Sequence, residues 1–143
     1  MIYVGADHRG FEQKSLVIDW LKKQSMEYED VGAHALEPED DWNGYAAEVA
    51  KKVASEDGAR GVLVCGAGHG VCMQANRYRG VRAVLGVTPE LAEMGRKHED
   101  ANVLCLAADF VPDPTEILEA FFATGFLGEE RYIRRNRKLD EEE

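Results

Sequence analysis

An α/β protein on a parallel sheet is what this chain of 143 residues predicts. Three observations point there. Five short apolar runs alternate with amphipathic helical patterns, the arrangement that places helices on both faces of a parallel sheet. The third run, Val62-Leu63-Val64-Cys65, breaks into Gly66, Gly68 and Gly70 and resumes as a helical pattern. The first run breaks into the polar turn Ala6-Asp7-His8-Arg9-Gly10. Five such units predict a flavodoxin-like, Rossmann-type three-layer αβα sandwich with a five-stranded sheet in the order 2-1-3-4-5. In that order strands 1 and 3 are neighbours, and the crevice at their carboxyl ends brings Asp7-His8 to Cys65–Gly70.

The elements follow in turn. Met1 to Gly5 is the first strand, and Phe11, Ile18 and Leu21 share one face of the first helix, with Lys14, Asp19, Lys22 and Lys23 around the other side. Tyr28 to Val31 is the second strand, closed by Gly32; the acidic segment from Ala33 to Trp42, with Pro38, reads as a loop. Tyr45, Val49 and Val53, with Ala46 and Ala50, stripe the second helix, and Asp57-Gly58 turns into the third strand. Val81 to Val87 is the fourth strand. Thr88-Pro89 caps and opens a helix running to about His98. Asn102 to Leu106 is the fifth strand. Asp113-Pro114-Thr115-Glu116 reads as a capping box, with Asp113 as cap and Glu116 reaching back, before a helix faced by Ile117, Leu118, Phe121 and Phe122.

The length fits one domain, 1–143, in which 127–143 is a charged tail or helix. A net charge of −10 argues against general nucleic-acid binding and against anionic membrane surfaces. No apolar run approaches the length of a membrane span, and the chain enters its first strand without a signal-peptide pattern. Cys65, Cys72 and Cys105 are an odd count without metal-ligand spacing, so a reducing, cytoplasmic setting is expected. The five cations Arg131, Arg134, Arg135, Arg137 and Lys138 stand out in so acidic a chain. They read either as a solvated helix face or as an anion site offered to a neighbouring subunit.

The glycine loop can turn tightly and present several backbone N–H groups to one point, and such a nest favours negative charge. Cys65, the last residue of its strand, sits where that field would favour a thiolate; its alternative is a small buried thiol. Asp7 either caps the helix beginning near Gly10 or takes part in chemistry, and one carboxylate can do both. His98 ends the fourth helix, where the dipole favours an imidazolium; by itself it could equally be a surface residue. His69 either reaches a ligand or faces solvent. A metal site from His8, His69, His98 and Cys65 has no spacing in its favour, and no cofactor is expected. Cys72 and Cys105 read as packing thiols. A base beside an oxyanion-stabilising nest is what proton abstraction next to a carbonyl requires, and arginines suit a phosphate handle.

G-A-D-H-R-G-F-E-Q-K at the start, C-G-A-G-H-G with A-N a few residues on, G-V-R-A, and H-E-D-A-N-V-L together resemble the ribose-5-phosphate isomerase B / galactose-6-phosphate isomerase family from Tyr3 to about Arg135. The resemblance implies metal-independent aldose–ketose isomerisation of a sugar phosphate through an enediolate, by a homodimer or a dimer of dimers. It implies Cys65 as the base that moves a proton between C1 and C2, His98 as the acid–base group that opens the sugar ring, and Asp7 as the residue holding ring or hydroxyl oxygens. His8, Arg131 and Arg135 match phosphate-binding positions, the two arginines coming from the partner subunit. Gly66, Ala67, Gly68, His69 and Gly70 match the anion hole.

Several positions depart from the family's usual pattern. Ala67 replaces a threonine hydroxyl, and His69 replaces an apolar residue. Glu99 stands where asparagine commonly follows the histidine, and Tyr132 stands for a histidine. Asp109 falls where members typically place an arginine toward the phosphate. A carboxylate there either weakens phosphate binding and accepts from sugar hydroxyls, or is turned outward or paired with Arg135. Three functions therefore remain on the table: a sugar-phosphate isomerase, an isomerase of a free sugar, and a non-catalytic binding module of the same fold.

Overall fold

The computed structural model describes residues 1–141. The last two residues of the expected 127–143 tail, Glu142 and Glu143, lie outside them. The elements run β1 (Ile2–Ala6), α1 (Phe11–Lys23), β2 (Tyr28–Gly32), α2 (Trp42–Ser55), β3 (Arg60–Cys65), α3 (His69–Ala75), β4 (Ala83–Leu85), α4 (Pro89–Glu99), β5 (Val103–Ala107), α5 (Thr115–Ala123) and α6 (Glu130–Glu141). All strand pairings are parallel. Alternation along the central strands feeds two cores. Val62 and Val64 with Leu104 and Leu106 pack under α1, α4 and α5, while Leu63 and Cys65 with Val103 and Cys105 pack under α2 and α3.

The α/β sandwich is as the sequence predicts, but the sheet order is β2-β1-β3-β5-β4, so the expected 2-1-3-4-5 is corrected at its last two strands. Burial gives the reason. Every residue of β5 is buried, as an interior strand requires, whereas β4 is three residues long with Val84 and Leu85 only half-buried. A short, partly exposed strand belongs at an edge. The expected strand from Val81 to Val87 accordingly shrinks to Ala83–Leu85. The exchange has a consequence for the site. Cys65 now pairs with Ala107, and the turn after β5 hydrogen-bonds directly to the glycine loop, Ala108 N–H to Cys65 O at 2.9 Å and Asp109 N–H to Gly66 O at 3.0 Å.

Among the described helices with an assigned cap, only α4 has a side-chain cap bond. Thr88 Oγ1 accepts from the Leu91 N–H at 3.2 Å, and Pro89 opens α4 as expected. At α5 the capping box does not form. Asp113 Oδ1 instead accepts from the N–H and hydroxyl of Thr115, Pro114 takes the cap position, and Glu116 plays no part in the cap. Asp113 reaches only two residues ahead because it lies one position farther from the helix than a cap must.

Gly10 is fixed by close approach. A methyl group there would lie 2.4 Å from the Val64 carbonyl oxygen and 2.6 Å from its carbon, in the backbone of β3. Gly10→Ala is therefore expected to push α1 off the sheet and to cost about 2–3 kcal/mol of stability, as overpacking against an unyielding wall does. Urea unfolding checks this, with an unchanged midpoint as the contrary outcome.

Candidate active site

The crevice lies where the sheet order reverses between β1 and β3, at their carboxyl ends. Four turns meet there: the one after β1, the loop before α2, the glycine loop after β3 and the turn after β5.

Cys65 ends β3 with its side chain on the α2–α3 side, 5% exposed, and its Sγ accepts the Gly68 N–H at 3.1 Å. Gly68 has φ +77°, and a methyl group on it would lie 2.4 Å from Leu85 Cδ1; glycine is required on both counts. Gly70 is closed by Trp42, whose ring atoms lie 2.6–2.9 Å from where its methyl group would be. The helix that follows, α3, has only seven residues, so the donors at this point are the loop's own N–H groups. Ala67 is half-buried and His69 is exposed.

Asp7 is buried, and its Oδ1 accepts from the N–H groups of Arg9 at 3.0 Å and Gly10 at 3.1 Å. Asp7 does not cap α1 as expected: Gly10 takes the cap position without a side-chain cap bond, and Asp7 instead closes the turn before it, both hydrogen bonds falling on one oxygen. His8 is tied to Asp40, whose Oδ1 accepts the His8 N–H at 3.0 Å and lies 2.7 Å from His8 Nδ1; the Tyr45 hydroxyl donates to Asp40 Oδ2 at 3.1 Å. Nε2 is left as the outward nitrogen of His8. Burial pushes the Asp40 carboxyl up, but the bonds from the His8 ring and backbone and from Tyr45 outweigh it and hold the carboxyl below its usual 3.8. Burial first, and then Asp40, raise the Tyr45 hydroxyl.

A carboxyl lowered in the folded state adds stability above its unfolded value, and that stability is lost as pH falls through the lower folded value. Asp40→Asn should therefore cost about 1 kcal/mol near neutral pH. The gap to the wild type should narrow as pH drops below about 4. Unfolding free energies across that range check the sign; a gap that widens toward acid would refute it.

Asp7, His8 and Asp40 offer ligand atoms all within 4.8 Å of one another. Both Asp40 oxygens already accept hydrogen bonds from His8 and Tyr45, so the cluster acts as a brace for the imidazole. Cys105 is fully buried, and burial first, then Cys72, pushes its thiol well up; the Cys105 hydrogen bond lowers Cys72 against burial. Both are packing thiols, as expected, in the same core cluster as Cys65.

Asp109 does not pair with Arg135. Its Oδ2 forms an ion pair with the Arg9 guanidinium, directly over Gly66. Arg9 and Asp40 are the residues that sequence reasoning leaves unassigned. Arg9 sits inside the quoted D-H-R-G stretch, and its charge was the available signal; Asp40 lies in an acidic run where nothing singles it out.

The remaining expected residues are not brought to this crevice within one chain. Helices of this architecture run antiparallel to their strands, so α4 carries its C-terminus to the amino edge of the sheet, about 15 Å from the carboxyl edge. His98 stacks there on Tyr132 of α6, ring centroids 4.8 Å apart, and its carbonyl accepts from Asn136 at 3.2 Å. Arg131 and Arg135 lie over the same Tyr132 ring, at 4.8 and 6.0 Å. Glu99 closes α4, and its carbonyl accepts from Arg82 at 2.7 Å. Arg82 also bridges Asp100 and Asp140, anchoring α6. His98 thus lies with Arg131 and Arg135, the two residues expected to serve a partner subunit, and apart from its own chain's Cys65.

Fold and crevice define a doubly wound α/β protein with a thiol, a carboxylate and a braced imidazole around a glycine loop at the switch point of its sheet. The chain belongs to the Ribose/Galactose Isomerase family, whose profile matches residues 2–139. It is 41% identical over 129 residues to a protein of Mycoplasma pneumoniae designated a probable ribose-5-phosphate isomerase B, covering 89% of this chain and 85% of the relative. The crystal structure of ribose-5-phosphate isomerase B from Mycoplasma genitalium with bound ribulose-5-phosphate superposes with a TM-score of 0.93 at 37% identity, covering 97% of this chain and 93% of the other. The ribose 5-phosphate isomerase from Thermotoga maritima gives 0.92 at 37% identity, covering 99% and 97%. No described helix is long and apolar enough to cross a membrane.

Proposed function

We propose that this chain is an aldose–ketose isomerase of a sugar phosphate of the ribose 5-phosphate type, working through an enediolate. The observation that carries the reading is the Cys65 sulfur, at the end of β3, facing the glycine loop with the Gly68 N–H on it at 3.1 Å. As thiolate, Cys65 takes the proton from C2 of the open-chain aldose. The electron pair moves to the carbonyl oxygen, and the N–H groups of Gly66 to Gly70 hold the resulting oxyanion. Transfer of the C2 hydroxyl proton to the C1 oxygen, with return of the carbon-bound proton to C1, gives the ketose and restores the thiolate, so no electron acceptor is needed. Asp7, fixed through Oδ1, offers its other oxygen to substrate hydroxyls, and His8 Nε2 donates to the phosphate. Ring opening falls to His98.

The geometry favours a homodimer for this chemistry. With His98, Arg131 and Arg135 at the amino edge and Cys65 at the carboxyl edge, the complete set arises when one subunit's α4–α6 end faces its partner's crevice. Exposed Met73 on α3 and Leu139 on α6 are apolar surface available for such contact. The free-sugar alternative rests on Asp109 as an anion and on Tyr132 in place of a histidine; Arg9 compensates the first of these. We assign the described chain to one isomerase domain acting without a metal cofactor.

The test follows ribose 5-phosphate by NMR, with free ribose and hexose 6-phosphates alongside. Conversion to ribulose 5-phosphate, and not of free ribose, is expected; conversion of free ribose alone would replace this substrate class by the free-sugar one, and conversion of none of them would favour a binding module.

A further inference from the structure

The residue after His8 is an arginine whose side chain is tethered at the crevice mouth while its guanidinium stays open to solvent. Its backbone is set by Asp7, which accepts the Arg9 N–H at 3.0 Å. Its guanidinium pairs with Asp109 Oδ2, and the backbone of Asp109 is itself pinned to Gly66 O at 3.0 Å. The pair rests on Gly66. A methyl group at that residue would lie 2.7 Å from Arg9 Nε, 2.7 Å from Asp109 Oδ2 and 2.8 Å from Arg9 Cζ. Three turns, those after β1, β3 and β5, are thereby joined by one cation over Gly66, the residue that follows Cys65.

A guanidinium has five N–H donors, and this one spends a single nitrogen on the carboxylate. The Arg9 side chain is 59% exposed, so its other donors remain open. The neighbouring His8 ring has Nδ1 committed to Asp40 and Nε2 outward. Two donors on consecutive residues at the mouth of the crevice suit an anion with several oxygens, and the planar fork of arginine suits a phosphoryl group in particular.

We propose that Arg9 binds the phosphoryl group of the substrate and that Asp109 is its positioning residue. The inference rests on the isomerase reading for the nature of the substrate, but not for the presence of the anion site. Asp109 cancels part of the cation's charge, yet it fixes the fork in place before substrate arrives, so less side-chain freedom is lost on binding. Asp109 therefore serves phosphate binding through Arg9 instead of opposing it.

The experiment combines steady-state kinetics with direct binding of inorganic phosphate by calorimetry, on wild type, Arg9→Gln, Arg9→Lys and Asp109→Asn. Arg9→Gln should raise KM for ribose 5-phosphate about tenfold or more, with a smaller change in kcat, and weaken phosphate binding by a similar factor. Arg9→Lys should recover part of the loss, because charge returns without the fork. Asp109→Asn should raise KM about threefold, since the cation stays but is no longer held. A purely structural bridge predicts no ranking: either half removed has the same effect on stability and none on phosphate affinity. Unchanged KM and phosphate affinity in Arg9→Gln, or no phosphate binding by the wild type, would overturn the proposal. A wild type that binds phosphate through Arg9 but isomerises none of the sugars would sustain it while overturning the isomerase reading.

Discussion

Cys65→Ser is expected to fold as the wild type does and to lose at least about a thousandfold in kcat, the scale expected when a positioned base is removed. The fold survives because a hydroxyl fits where the sulfur sits and can accept the Gly68 N–H that now reaches Sγ. The chemistry does not, because an alcohol is scarcely ionised near neutral pH and a thiol is ionised far more readily. The loss should appear in kcat, with KM changed little, since the proposed roles give the proton to Cys65 and the holding of substrate to His8, Arg9 and the glycine loop. Activity within tenfold of wild type would remove Cys65 from the role of base.

The second large effect is restoration. Arg131→Ala and Cys65→Ser should each be nearly inactive alone. After subunit exchange, half the dimers are mixed, and each mixed dimer keeps one site with an intact Cys65 from one subunit and an intact Arg131 from the other. Activity should therefore rise to about a quarter of wild type for a two-fold symmetric dimer with independent sites. The expectation follows from the proposed dimer and the two-edge geometry, with the Arg131–Tyr132–His98 stack at the amino edge and Cys65 at the carboxyl edge. Absence of recovery in samples shown to contain mixed dimers would contradict a shared site.

Local chemistry was readable from the sequence wherever a residue's role is set by its immediate neighbours. Thr88-Pro89 opens α4 because an oxygen and a pre-set φ suffice at that position. Cys65 ends its strand because Gly66 and Gly68 stop the run. Position across the sheet was less legible. The exchange of β4 and β5 is decided by how many residues each buries, and an apolar run does not reveal whether it is covered on both sides. That exchange is also why Asp109 seemed a stray anion. Only with β5 against β3 does its turn reach Gly66 and meet Arg9. Asp40 escaped for a related reason, since its partner His8 is 32 residues away and no periodicity links a loop to a turn. His98 was recognisable as a residue type, but its edge follows from helix direction, which must be combined with strand order before it says which subunit's crevice it can serve.

The central claim is proton transfer by Cys65 through an enediolate, and solvent exchange tests it most directly. Ribose 5-phosphate incubated in D2O with the wild type should yield ribulose 5-phosphate carrying deuterium at C1, and the recovered ribose 5-phosphate should acquire deuterium at C2, both observed by NMR. Cys65→Ser should leave both carbons protonated. Ketose formed with no solvent deuterium at either carbon over many turnovers would contradict the account, because the hydrogen would then have moved directly between the two carbons without a base that exchanges with solvent.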